Sequence, residues 1–136
     1  MSRPLTRAIR SLVLGTVPIL LVAACSDSSG PDTTLSGSWS GTASFGSGFS
    51  ASMTLTQNGP DVTGTLRIVA AVADAPVIGA FTSGTMVWAA QDGCEVWVGT
   101  LVLDGTSNRM EGPIARDVSA CSSGTATSGT LRLDRQ

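Results

Sequence analysis

The chain of 136 residues has no histidine and no tyrosine, and its basic residues are all arginines, so it has no lysine either. Without histidine or lysine, a Ser-His-Asp triad, a Cys-His dyad, a Ser-Lys dyad and a Schiff base are all excluded. Zinc sites draw on histidine or on several cysteines, so no zinc site is expected. We therefore expect that the protein is not an enzyme and that it holds no metal or cofactor.

Charged residues are scarce, at 13% of the chain. Because histidine and lysine are missing, a pair of carboxylates is the remaining catalytic option. Asp92 lies close to Glu95 in the sequence, and Glu111 and Asp117 could join them after folding. Two carboxylates can catalyse hydrolysis when their surroundings separate their pKa values, but acids in turns are usually only solvated. Residues Asp104–Asn108 could offer oxygen ligands to calcium, although the spacing is not that of an EF-hand and a plain turn is the favoured interpretation.

The N-terminus has the three parts of an export signal. Arg3, Arg7 and Arg10 supply positive charge, and residues 11–24 are almost wholly apolar and end in small side chains. A transmembrane helix needs about 20 apolar residues, so this shorter stretch, interrupted by Pro18, does not predict a permanent span.

The run Leu21-Val22-Ala23-Ala24-Cys25 resembles the lipobox of bacterial lipoproteins. The resemblance implies removal of residues 1–24 and a diacylglyceryl group on Cys25, with acyl chains such as palmitate in the membrane. Ser26 follows in place of the aspartate that favours inner-membrane retention, so the resemblance points to the outer membrane where the organism has one. The alternative is an ordinary cleaved signal peptide with an incidental thiol.

Residues 25–34 are polar and rich in serine, and predict a flexible tether with a reach of at most about 30 Å. Residues 35–136 then suit a single domain. After cleavage five arginines face ten acidic residues, a formal charge of −5. Without a basic cluster, nucleic acid is excluded as a partner. The expected partners are a membrane, through the anchor, and a small apolar ligand. The sequence does not identify a protein partner.

Two cysteines remain besides Cys25. Because an exported protein folds in an oxidising compartment, we expect a disulfide between Cys94 and Cys121. Two buried thiols are the alternative. If these two cysteines pair, an unmodified Cys25 would be an odd thiol, which favours lipidation.

From residue 35 onwards, short β-prone runs alternate with Gly, Ser, Asn and Asp, and no segment sustains a helical period. The pattern predicts an all-β domain whose consecutive strands form antiparallel hairpins, with turns that include Asp74-Ala75-Pro76. The eight predicted strands are Gly37–Phe45, Ser50–Gln57, Val62–Ala70, Val77–Thr82, Thr85–Ala90, Cys94–Leu103, Arg109–Ala115 and Gly124–Asp134.

Strict alternation along each strand predicts which side chains face inward, because successive residues point to opposite faces of a sheet. The predicted inward set is Trp39, Gly41, Ala43, Phe45, Ala51, Met53, Leu55, Val62, Leu66, Ile68, Met86, Trp88, Trp97, Leu101, Leu103, Met110, Ile114, Leu131 and Leu133.

The motif Gly37-Ser38-Trp39 resembles the start of lipocalins and avidins, and the segments 54–59 and 62–66 resemble the hairpin that follows in small bacterial members. The resemblance implies an eight-stranded up-and-down β-barrel. In lipocalins an arginine near the end of the last strand packs on the tryptophan, a role that falls to Arg135, with Arg132 as second choice. Avidins use a tyrosine in biotin binding, so biotin is not expected as a ligand.

An eight-stranded barrel is either filled by side chains or holds one small ligand. The leading hypothesis is a lipid-anchored envelope protein that carries or senses a small apolar or amphipathic ligand in the barrel. The alternative is a structural or protein-interaction module with a filled barrel. The candidate ligand-binding residues share an apolar, inward character; they are Trp88, Trp97, Met53, Met86, Phe81 and Met110.

Overall fold

The computed structural model describes residues 34–136, so the proposed signal peptide, the lipobox and all of the proposed tether except Thr34 lie outside the described residues. The described chain forms eight β-strands. In chain order they are β1 (Gly37–Ser44), β2 (Gly48–Asn58), β3 (Asp61–Ile68), β4 (Val72–Thr82), β5 (Thr85–Asp92), β6 (Glu95–Leu103), β7 (Arg109–Asp117) and β8 (Thr127–Arg135).

Each strand pairs antiparallel with the next, and β8 returns to pair with β1, so the sheet closes into a barrel. Closure removes both sheet edges, which a small all-β domain otherwise exposes. In the closing pair, Trp39 faces Arg135 and Ala43 faces Leu131. The prediction of an all-β domain with an eight-stranded antiparallel up-and-down barrel is confirmed.

The predicted start of the fourth strand is wrong. Residues Asp74-Ala75-Pro76 do not form a turn: β4 begins at Val72, and the chain reverses just before it, where Ala70 has a φ of 65°. Between the pairs Leu66–Ala75 and Ile68–Val72, β4 has two residues where β3 has one, which is a β-bulge, and Asp74 adopts a φ of 51° there. Asp74 and Pro76 therefore mark an irregular strand. The other strand ends differ from prediction by at most three residues.

The core fills the inside of the barrel with one continuous apolar cluster. The alternation predicts most of it, while Phe45 and Leu103 are only partly buried. Val72, Ala75, Val77, Ala90 and Leu35 also belong to the core, although the predicted inward set does not include them. Ala75 falls in the predicted turn and Val72 precedes it, while Val77 opens the predicted fourth strand, from which the predicted inward set takes no residue. The fully buried large side chains are Trp39, Trp97, Leu35, Met53, Leu66, Ile68, Met86, Leu101, Met110, Ile114, Leu131 and Leu133.

Four strand glycines allow neighbouring strands to approach closely. A Cβ atom on Gly41, Gly64, Gly112 or Gly129 would lie 1.9–2.0 Å from a carbonyl oxygen of an adjacent strand. No side chain larger than hydrogen fits such a contact, so these positions are where the sheet can curve tightly enough to close.

Within residues 34–136 there is no helix long and apolar enough to span a membrane.

Candidate functional site

One end of the barrel, which we call the closed end, is sealed around Arg135. Its guanidinium carbon lies 4.3 Å from the centre of the Trp39 ring. The same group donates hydrogen bonds to the carbonyl oxygens of Thr34 at 2.7 Å, Ser36 at 3.1 Å and Ser107 at 3.1 Å. The structure thus gives Arg135 the contact that the lipocalin resemblance implies. The second choice, Arg132, is exposed on the outer wall.

Leu35 completes the closed end as a plug that is fully buried. Trp39 Nε1 donates to the Leu35 carbonyl at 2.9 Å, and the Leu35 amide donates to Gln57 Oε1 at 2.8 Å. The Gln57 amide in turn donates to Ser36 Oγ at 2.9 Å. The segment before β1 is therefore held by side chains from three strands, which gives this end a structural role.

The six candidate ligand-binding residues lie in or against the packed interior. Met53, Met86, Met110, Trp88 and Trp97 are each at most 2% exposed and belong to the core cluster, and Phe81 packs against it partly buried. The barrel is filled by side chains along the length that they occupy. Their part in binding a ligand stays a prediction.

Two polar atoms inside this core have no hydrogen-bond partner. They are the indole N–H groups of Trp88 and Trp97 on the neighbouring strands β5 and β6. A Cβ atom on Gly99 would lie 2.8 Å from Cε2 and Cζ2 of Trp88, so the absence of a side chain there makes room for the Trp88 ring. Leaving a buried hydrogen-bond donor without an acceptor costs about 1–3 kcal/mol of folding free energy. An acceptor that reached either indole N–H group would recover part of this cost.

The opposite end, which we call the open end, has an ion pair facing the barrel axis. Arg116 donates to the Glu95 carboxylate through both Nε, at 3.0 Å, and Nη2. The guanidinium lies 5.8 Å from the Trp97 ring centre. The two charged side chains are only 27% and 22% exposed. Strand alternation predicts that both side chains face inward, because Arg116 lies two residues after the buried Ile114 and Glu95 two residues before the buried Trp97.

Aromatic side chains surround this ion pair. Phe45 meets Trp97 edge-on with ring centres 5.6 Å apart, and Phe49 lies 6.3 Å from Phe45. Both phenylalanines are partly exposed. Beside them, a depression of about 290 Å³ is lined by residues 67–73 and Asp92. The open end thus combines aromatic surface, charge and a small cavity.

The Arg116 guanidinium, as hydrogen-bond donor, holds the pKa of Glu95 below its ordinary value, and partial desolvation opposes this shift. The Trp97 indole lowers the pKa of Glu95 slightly further. Its N–H is therefore close to the carboxylate, although it does not reach hydrogen-bond geometry. The pKa of Arg116 is raised by the same contact with Glu95. Both groups are charged at neutral pH, so the open end keeps its ion pair.

A disulfide braces the open end. Cys94 in the β5–β6 turn is bonded to Cys121 in the β7–β8 loop, 27 residues further along the chain. The predicted pairing is confirmed, and the alternative of two buried thiols is wrong. The bond ties two loops of the open end together.

The other predicted acidic residues have separate roles. Asp92 faces Glu95 across the β5–β6 hairpin, whereas Glu111 is exposed on the outer wall, where Arg132 is its cross-strand neighbour. Asp117 accepts the Ser119 amide at 2.8 Å, and this backbone hydrogen bond lowers the pKa of Asp117. A two-carboxylate hydrolase would need acids gathered in one cleft, and the structure brings together only Asp92 and Glu95, the latter held by an arginine.

The loop proposed as an alternative calcium site is organised by its own hydrogen bonds. Asp104 accepts the Thr106 hydroxyl at 2.7 Å and the Asn108 and Arg109 amides at 3.0 and 3.2 Å. The Thr106 hydroxyl is the main reason that the pKa of Asp104 is lowered. Among residues 34–136 no group of three or more His, Cys, Asp or Glu side chains could hold a metal ion.

The outer wall has two chemically different halves. Strands β1 to β3 present mainly serine and threonine outward, whereas β4 to β7 present a group of outward apolar side chains that we call the apolar wall, with Glu111 at its margin on β7. The outward positions of β5 and β6 carry no charged side chain at all. The apolar wall consists of Ile78, Ala80, Val87, Ala89, Val98, Val102, Pro113 and Ala115.

Two shallow depressions cross the apolar wall and share Val98. One, of about 510 Å³, is lined by residues of β4, β5 and β6, and the other, of about 530 Å³, extends over β7 to β8. Alternation does not predict this surface, because β4 to β6 carry apolar side chains on both faces. Only the register shows that the outward apolar side chains of neighbouring strands form one surface.

The chain matches no family model, and searches of curated proteins and of solved structures find no match either.

Proposed function

We propose that the protein is a lipid-anchored lipoprotein of the cell envelope whose filled barrel serves as an interaction module, docking through the apolar wall. One observation carries this proposal: Ile78, Val87, Val98 and Val102 are 67%, 59%, 41% and 53% exposed on adjacent strands. Large contiguous apolar patches on a soluble domain mark interaction sites. The packed interior supports the same conclusion, because it leaves the outer surface as the place for function.

The proposed location depends on the lipobox-like run before Cys25 and the export signal that precedes it. Replacing Cys25 with serine is expected to abolish incorporation of labelled palmitate and the mature membrane-bound form, because the thiol that carries the diacylglyceryl anchor is removed. Thr33→Ser is the matched control. A mature C25S protein that still sediments with membranes contradicts the anchor.

A photo-crosslinking residue at Val87, compared with one at Thr54, tests the apolar wall. Both positions are exposed and outward, but Thr54 lies on the serine- and threonine-rich half. We expect discrete crosslinked products in intact envelopes from position 87 and none from position 54. Equal crosslinking from both positions, or none from position 87, contradicts docking through the apolar wall.

Binding of a small amphipathic ligand at the open end is a second candidate function. It is favoured by the unpartnered N–H groups of Trp88 and Trp97 and by the partly exposed rings of Phe45 and Phe49, of which Phe45 contacts Trp97. An amphipathic ligand could accept a hydrogen bond from an indole N–H group with its polar end and cover the phenylalanine rings with its apolar part. Titration with fatty acids and fluorescent apolar probes should shift tryptophan emission in the wild type and less in Phe49→Ser. An unchanged spectrum with every probe rejects this candidate.

A further inference from the structure

We propose that the partner of the apolar wall is a second copy of this chain, packed about a two-fold axis that runs along the strands between β5 and β6. This inference rests on the proposed function, because it names the occupant of the same surface. The register of large and small side chains, the distribution of charge and the position of the chain's first described residue each support it.

Large and small side chains alternate across the strands of the apolar wall. In one cross-strand row, Ile78 pairs with Ala89, Ala89 with Val98, and Val98 with Ala115. In the next row Ala80 pairs with Val87 and Val87 with Thr100. The large residue changes strand from one row to the next, so protruding side chains alternate with gaps in both directions.

A two-fold axis between β5 and β6 places protrusions opposite gaps. It sets β4 of one copy over β7 of the other, and β5 over β6. Ile78 then faces Ala115 of the second copy, and Val98 faces Ala89. Such large-to-small contacts pack facing sheets closely, and an isologous interface requires a self-complementary patch of this kind.

Charge also favours a copy of the same chain. The mature chain has a formal charge of −5, so two copies repel each other at most surfaces. The outward positions of β5 and β6 are free of charge, so at the centre of the proposed contact no like charges face each other. A charged partner would find no complementary group there.

The geometry is compatible with anchoring both copies in one membrane. An axis along the strands keeps strand direction, so the closed ends of the two copies lie on the same side of the pair. Thr34 is held at the closed end by Arg135, and Cys25 precedes it by nine residues. At about 3.3–3.6 Å per residue this segment spans up to about 30 Å, enough for both anchors to reach one surface.

The contact is small. Four strands about 4.8 Å apart and five residues of about 3.3 Å give a face of roughly 300 Å² per copy, against about 800 Å² in a standard stable interface. We therefore expect weak pairing in solution. Confinement on a membrane raises the effective concentration towards the millimolar range, where weak pairing becomes significant.

Energy transfer between full-length mature, lipidated copies on phosphatidylcholine vesicles tests the pairing, with donor and acceptor dyes at the C-terminus. Transfer above the level of randomly placed molecules is expected for the wild type. Val87→Glu should reduce it to the random level and weaken pairing roughly tenfold or more, because an unpaired carboxylate would be buried. Thr54→Glu adds the same charge on the other half of the wall and should leave transfer unchanged. Random transfer in the wild type, or transfer insensitive to V87E, overturns the proposal.

The outcomes separate this inference from the proposed function. A chain that does not partition into vesicles refutes the lipid anchor, and sedimentation equilibrium at millimolar protein then decides the pairing. Crosslinks from position 87 to a different protein, with no self-crosslinked product, leave the docking function standing and refute the dimer.

Discussion

Replacing Arg135 with methionine should destabilise the barrel strongly, because this one side chain joins β8 to three separate segments at the closed end. It donates to carbonyl oxygens of Thr34, Ser36 and Ser107 and lies over Trp39. Methionine keeps most of the side-chain volume and removes the charge and all donors. The three half-buried hydrogen bonds contribute about 1 kcal/mol each, and the cation–π contact about 1 kcal/mol more. The expected loss is about 3–4 kcal/mol.

Urea unfolding followed by tryptophan emission measures this loss. With a slope of about 1.5 kcal/mol per molar urea, the midpoint should fall by about 2–3 M, and the slope itself should not change. Arg132→Met is the matched control, since Arg132 lies on the same strand but is exposed on the outer wall. Its cost should stay within about 0.5 kcal/mol.

A double-mutant cycle with Trp39→Leu, which removes the aromatic face, separates the ring contact from the hydrogen bonds. A coupling energy of about 1 kcal/mol between positions 39 and 135 is expected, since the side chains touch. If R135M costs less than about 1 kcal/mol, or no more than R132M, the closed end is not held in the way described above.

Three further predictions concern stability. Replacing both Cys94 and Cys121 with serine should cost about 3–4 kcal/mol of unfolding free energy for a loop of this length; a wild type equally stable to urea with and without reductant would contradict it. Gly112→Ala should destabilise severely, because the added Cβ would lie 1.9 Å from the Thr100 carbonyl oxygen, whereas Gly105→Ala, with nothing within 4 Å, should be nearly neutral in the same assay. The pKa of Glu95 is lowered by Arg116, so its contribution to stability is present above its ordinary pKa of 4.5 and is lost as the pH falls through the lowered value. Acid unfolding monitored by circular dichroism should therefore be steeper below about pH 4.5 in the wild type than in Glu95→Gln, and identical curves would show that the ion pair has no such role.

The sequence carries enough information for the strand order and most of the core. A period of two indicates which face of a strand is buried, so alternation alone predicts the inward positions of Trp39, Met53 and Leu131, all of which are buried. Turn residues between the runs predict hairpins, and hairpins in series predict a meander that closes. The β-bulge at Asp74 could not be found in this way, because aspartate and proline have the same signature in a turn as in an irregular strand.

The open end and the apolar wall were harder to predict for different reasons. Arg116 and Glu95 carry the inward parity, but charged residues are ordinarily assigned to solvent, and only the three-dimensional contact with Trp97 shows that they face the barrel axis. The apolar wall depends on register between strands, which alternation within one strand does not specify. Ile78 and Val98 come together only through their shared neighbour Ala89.

The pairing of β1 with β8 has a consequence for how the chain matures. All other strand pairs join sequence neighbours and can form as the polypeptide emerges, but β1 must wait until the last strand arrives. During that interval both seam strands expose unpaired backbone to other molecules. Their sequences, Gly-Ser-Trp-Ser-Gly-Thr-Ala-Ser and Thr-Ser-Gly-Thr-Leu-Arg-Leu-Asp-Arg, are the polar, glycine-containing and charged kinds that resist intermolecular β-pairing. The seam is thus made of strands suited to staying soluble while unpaired, and the more apolar strands β4 to β6 are those whose neighbours come directly before and after them in the chain.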